Sequence, residues 1–142
     1  MRFDIHESTD RGITTLTPDG ELNETTSGVL RGRVLDIAEE GRRLVIIDLR
    51  TTSSATSHAL RVLLMLSKKL QSVGGRLVIC GARDDVDNAL TLSGLNRLCC
   101  VTADRDQAVD QLMVENRIVR LAALVAKLLD RAEQRRASAE AV

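Results

Sequence analysis

Four consecutive apolar residues, Leu44-Val-Ile-Ile47, lead through Asp48-Leu-Arg50 into a hydroxyl-rich stretch, Thr51–Ser57, and then into apolar residues of helical period. An unbroken apolar run of mostly β-branched residues reads as a strand covered on both faces. Beyond the hydroxyl stretch, Leu60, Leu63, Leu64 and Ser67 fall at helical spacing. A loop must therefore end at a helix start, where up to about four backbone N–H groups lack partners within the helix. Thr56 or Ser57 is the natural cap. A hydroxyl placed there lies in a positive field that tolerates an added anion, which is chemistry suited to a phosphate switch. Ser and Thr also collect in loops and caps because their side chains bond nearby backbone groups, so residue types alone favour a structural role over a functional one.

Around this strand–loop–helix unit the chain alternates its periods. Phe3 to Glu7 and Ile13 to Thr17 alternate apolar and polar residues about Asp10-Arg-Gly12, a hairpin pattern, and Pro18-Asp-Gly20 reads as a turn. Thr25 to Glu40 predicts a helix with Val29, Leu30, Val34, Ile37 and Ala38 on one face, stopped by Gly41. Arg43 to Leu49 is the buried strand, and Thr56 to Val73 the next helix, closed by Gly74-Gly75. Arg76 to Cys80 reads as a strand, Asp84 to Leu92 as a helix with acidic residues in its first turn, and Leu98 to Val101 as a fifth strand. Asp104 to Val114 completes the series as a helix. This order predicts an α/β domain, a mixed sheet of about five strands with four helices joined by right-handed crossovers.

After Val114 the pattern changes. Ile118, Leu121, Val125, Leu128 and Ala132 step alternately by three and four, the a/d positions of a heptad. We therefore expect a domain over residues 1–114, a C-terminal helical extension over 115–135 and a frayed tail over 136–142. An extension of under about three heptads is marginal on its own, so it either folds back on its sheet or meets a second chain, giving a homodimer.

Composition excludes several classes of function. Lys+Arg and Asp+Glu balance at 20 each, so no net field attracts nucleic acid or an anionic membrane. Phe3 is the sole aromatic residue, which leaves no stacking platform for single-stranded bases. Cys80, Cys99 and Cys100 show no metal-ligand spacing and read as small buried hydrophobes. Neither a signal-peptide core nor a membrane-length apolar run is present, and the expected location is the cytoplasm. No Ser-His-Asp set, phosphate loop or metal cluster suggests an enzyme or a cofactor. His6 and His58 carry no special role by position alone.

Five motifs occur in a fixed order: Gly20-Glu-Leu-Asn23, Leu44 to Leu49 ending in Asp-Leu, Thr56-Ser-His-Ala-Leu60, Gly74-Gly-Arg-Leu-Val-Ile-Cys-Gly81 and Leu92-Ser-Gly-Leu-Asn-Arg-Leu98. Together they resemble the STAS-domain family, specifically the bacterial anti-sigma factor antagonists, over about residues 3–112. The resemblance implies the STAS fold and a non-enzymatic role in transcriptional regulation. It implies a partner that is both serine kinase and anti-sigma factor, and a metal-dependent serine/threonine phosphatase that reverses the modification. By position Ser57 corresponds to the phosphoacceptor, with Asn23, Thr56, Ser57, His58, Leu60 and Arg61 forming the partner-binding surface. Thr56 and Asn23 stand where the family carries aspartates, His58 where it has a small hydroxyl residue, and Ala59 where it has glycine. The alternative is an unphosphorylated scaffold or oligomerising module.

Overall fold

Asp10-Arg-Gly12 reverses the chain as expected, with Arg11 and Gly12 at φ +52° and +78°. Positive φ at both central residues suits the twist of a two-residue hairpin. The computed structural model describes residues 3–140. Its strands are β1 (Asp4–Asp10), β2 (Ile13–Leu22), β3 (Leu44–Asp48), β4 (Thr52–Ala55), β5 (Arg76–Cys80) and β6 (Cys100–Thr102). Its helices are α1 (Glu24–Glu39), α2 (Ser57–Ser72), α3 (Asp84–Leu92), α4 (Leu95–Leu98) and α5 (Arg105–Glu140). The sheet runs β1-β2-β3-β5-β6, antiparallel between β1 and β2 and parallel elsewhere, with β4 joined to β2. The α/β class and mixed sheet are those expected, with a sixth strand added.

β2 differs from the sequence reading. Pro18 does not begin a turn but lies within a ten-residue strand, opposite Ile5 of β1. Along its other edge β2 pairs first with β3, at Ile13 to Leu16, and then with β4, at Gly20 to Leu22. Pro18 falls between those two ladders, where a missing N–H breaks no pairing on that edge. Its carbonyl accepts hydroxyl hydrogen bonds from Thr51 and Thr52, each 3.0 Å. Part of the hydroxyl stretch is thus a short strand held against β2.

The core lies where α1 and α2 meet the sheet. Leu30, Val34 and Ile37 of α1 and Leu63, Leu66 and Leu70 of α2 are buried with Leu16, Val45, Ile47, Leu77 and Ile79. Val29 was expected on this face, but it is 54% exposed. It sits about 100° around the helix from Leu30, and Ser27 takes the buried position instead. Ile46 and Val78 alternate to the opposite sheet face and are also buried, so β3 and β5 are covered on both sides. Gly74 and Gly75 close α2: the Gly74 N–H donates to the Gln71 carbonyl at 3.2 Å and the Gly75 N–H to the Leu70 carbonyl at 2.7 Å. A Cβ on Gly75 would stand 2.5 Å from the Arg43 carbonyl oxygen, so β5 can approach β3 there only with glycine.

Two further expectations need correction. The strand anticipated at Leu98 to Val101 starts at Cys100, because Gly94 at φ +74° starts the short α4 first. The helix from Asp104 and the extension after Val114 are one helix of 36 residues, since neither Gly nor Pro follows Gly94. The chain divides into two compact units, one ending at Val109 and one starting at Asp110. In the second, helix continues through residues 136–140, and every residue from Arg117 to Ala139 is exposed. The last two positions of the expected tail lie outside the described residues.

Candidate functional site

The β2–β4 ladder assembles the site. Glu21 pairs with Ser54 and Leu22 with Ala55, and the Thr56 N–H donates to the Leu22 carbonyl at 2.9 Å. The residues that follow these pairs are Asn23 and Thr56, the N-caps of α1 and α2. Neighbouring strands lie about 4.8 Å apart, so the two helix starts stand side by side although 33 positions separate the caps. Sequence reading named both residues, but not the strand that joins them.

At α1 the capping is reciprocal. Asn23 Oδ1 accepts the N–H groups of Thr25 and Thr26, both at 3.0 Å, and the Asn23 N–H donates to Thr26 Oγ1 at 2.8 Å. At α2 the Thr56 hydroxyl oxygen accepts a single bond, from the Ala59 N–H at 3.2 Å. Ser57 is the first residue of α2 and is exposed, as are Thr56, His58 and Arg61. No acidic residue occupies the first turn of α2, so its positive end is not neutralised locally. Ala59 is buried in the core, where its methyl group contributes packing that glycine could not.

Leu60 is only 7% exposed and belongs mainly to the core. Its outer edge nevertheless lines a groove of about 280 Å³ together with Ser57, Arg61, Leu64, Leu95 and Leu98. Ser57 and Arg61 are four residues apart and so share a helix face. The far wall comes from α4, of which sequence reading assigned only the last residue, Leu98, and that to the start of a strand. Leu98 is 64% exposed there, and the Ser93-Gly94 break was the available signal for it.

A larger cavity, about 480 Å³, lies at the C-terminal ends of β3 and β5, away from Ser57. Its buried Asp48 carboxylate is already engaged, by the Arg50 N–H at 3.1 Å and the Arg50 guanidinium at 3.4 Å. Cys80, at the end of β5, is fully buried. Burial, followed by the negative charges of Asp48 and Asp104, pushes its thiol up to about 12. Among the described residues no group of His, Cys, Asp and Glu is arranged to hold a metal ion, and no helix is long and apolar enough to cross a membrane.

Comparison with known proteins places this geometry. A Bordetella bronchiseptica protein named as an anti-sigma factor antagonist, BtrV, is 29% identical over 89 residues, covering 63% of this chain and 77% of that protein. The crystal structure of an anti-sigma factor antagonist from Thermotoga maritima matches with a TM-score of 0.72 at 21% identity, over 77% of this chain and 94% of that one. The Bacillus antagonist SpoIIAA matches at 18% identity in both its unphosphorylated and phosphorylated forms, with TM-scores of 0.64 and 0.58. These alignments cover 79% and 78% of this chain and 96% and 98% of SpoIIAA. The model of the STAS domain matches residues 5–108, nearly the whole of the first compact unit, and the chain therefore belongs to the STAS domain family.

Proposed function

We propose that this chain is an anti-sigma factor antagonist that binds a kinase/anti-sigma factor through the surface around Ser57, and that Ser57 is its phosphoacceptor. Its role is regulation by binding rather than catalysis, exercised in the cytoplasm, with a serine/threonine phosphatase reversing the modification. The observation that carries this reading is an exposed serine at the first position of α2, beside an apolar groove, in a chain of this family. Relatives named as antagonists, one of them solved in a phosphorylated form, support it.

The chemistry of the switch follows from charge. A phosphoserine adds about −1.5 to −2 charge. In the free protein the positive end of α2 accepts it, gaining roughly 0.3–1 kcal/mol, and the Arg61 guanidinium one turn along adds a cation on the same face. Against a docked partner the same charge must be desolvated, at a cost on the order of 2–5 kcal/mol. Modification therefore favours the free antagonist. Asn23 and Thr56 cap the two neighbouring helices as neutral groups, and the first turn of α2 carries no acidic residue before modification.

Binding to the cognate partner of wild type, Ser57→Ala and Ser57→Asp tests this reading, alongside phosphate incorporation with ATP. Ser57→Asp should weaken binding by at least about tenfold, equivalent to about 1.4 kcal/mol, while Ser57→Ala binds well and takes no phosphate. Equal affinities of all three, with phosphate absent from wild type, would instead favour an unphosphorylated scaffold. The exposed apolar helix of the second unit favours that alternative.

A further inference from the structure

We propose that the exposed apolar face of α5 is a two-stranded coiled-coil seam that joins this chain to a second copy of itself. The inference is independent of any modification at Ser57. Val114, Ile118, Leu121, Val125 and Leu128 step along α5 at heptad spacing, with Leu124 and Leu129 flanking them. All seven are between 47% and 62% exposed.

The seam is not the face that α5 already buries. Ala108 and Leu112 are fully buried. At about 100° per residue, their face continues through Glu115, Val119 and Ala122, whereas the seam is centred about 120° around the helix from it. A soluble chain seldom leaves a continuous stripe of this kind unpartnered.

Its chemistry points to a second copy. Ile118 and Val125 take the a positions and Leu121 and Leu128 the d positions, and β-branched a with leucine d is the arrangement that favours two strands. In a parallel pair, Leu124 at g faces the partner's Leu129 at e, which widens the apolar contact. Arg135 at the next d position ends the seam. The area is of the order such an interface needs. Covering the exposed parts of these seven side chains in two copies removes on the order of 400–800 Å² of apolar surface. A specific interface needs about 1,000 Å² in all, of which about 65% is apolar in homodimers.

Light scattering and sedimentation of the full chain at micromolar concentration test the proposal. Wild type should show about twice the 15.5 kDa chain mass and dissociate on dilution. The double substitution Leu121→Glu with Val125→Glu should give a monomer whose α/β core melts as before. Leu128→Ala, a milder change, should weaken dimerisation by about tenfold or more, as loss of a buried leucine contact does. Lys127→Glu, on the opposite side of the helix, should remain dimeric. A wild-type monomer under these conditions, or a dimer that survives the double substitution and Leu128→Ala unchanged, overturns the proposal.

Discussion

Two helices begin side by side at the ends of β2 and β4, and their starts are built differently. At α1, Asn23 and Thr26 satisfy three backbone N–H groups between them, counting that of Asn23 itself. At α2 a lone hydroxyl, on Thr56, holds one. The first arrangement is the more closed: more of its donors are used, and Glu24 already places a carboxylate in the first turn. The second keeps its positive end available and sets an exposed serine there. The contrast separates a cap that serves stability from one that leaves room for a charge to be added, though both read as polar residues before a helix.

The contrast can be broken by mutation. Asn23→Ala should have the largest effect, lowering stability by about 1–2 kcal/mol because two donors lose their acceptor. Thermal or urea unfolding would measure it. Thr56→Ala should cost less, about 0.5–1 kcal/mol; equal losses at the two caps would show that the two starts are energetically alike. Thr56→Asp tests the unneutralised end of α2 directly. It should raise stability by roughly 0.3–1 kcal/mol, and the gain should shrink as salt is added.

A smaller effect is expected away from both caps. The Arg33 guanidinium, bonded to Glu7 at 2.5 and 2.7 Å, holds the Glu7 carboxyl below its usual range, with Arg42 adding to the effect. A depressed carboxyl stabilises the fold above its unfolded pKa, near 4.3, and loses that contribution as pH falls through its lower folded value. Glu7→Gln should therefore lower stability slightly at neutral pH and leave it little changed at the acid end, which flattens the acid limb of the stability–pH curve. The pair is partly exposed, so the change should be the smallest of the set.

How much of this was legible depended on how far each residue's partners lie along the chain. β5 and α3 match their expected bounds, and β3 and α2 lie within one or two residues of theirs, because local period and glycine stops define them. β4 was invisible: Thr52-Ser-Ser-Ala55 has no apolar period and is a strand only because β2 passes beside it. Pro18 misled for the same reason, since its tolerance within a strand depends on a gap between two neighbours distant in sequence. At the site, Ser57 and Thr56 were readable as a helix start, but the groove wall formed by α4 needed the turn at Gly94 to be seen in three dimensions. The continuity of α5 through residue 114 was legible in principle, from the absence of Gly and Pro.

The ladder between Leu22 and Ala55 also has a consequence for synthesis. A nascent chain displays Asn23 and can begin α1 early, yet the paired helix starts cannot form until β4 and the first turns of α2 have left the ribosome. Closing so long a loop is slow compared with forming either helix, so the paired helix starts are completed late. A product truncated before α2 would carry the Asn23 cap with no second helix start beside it.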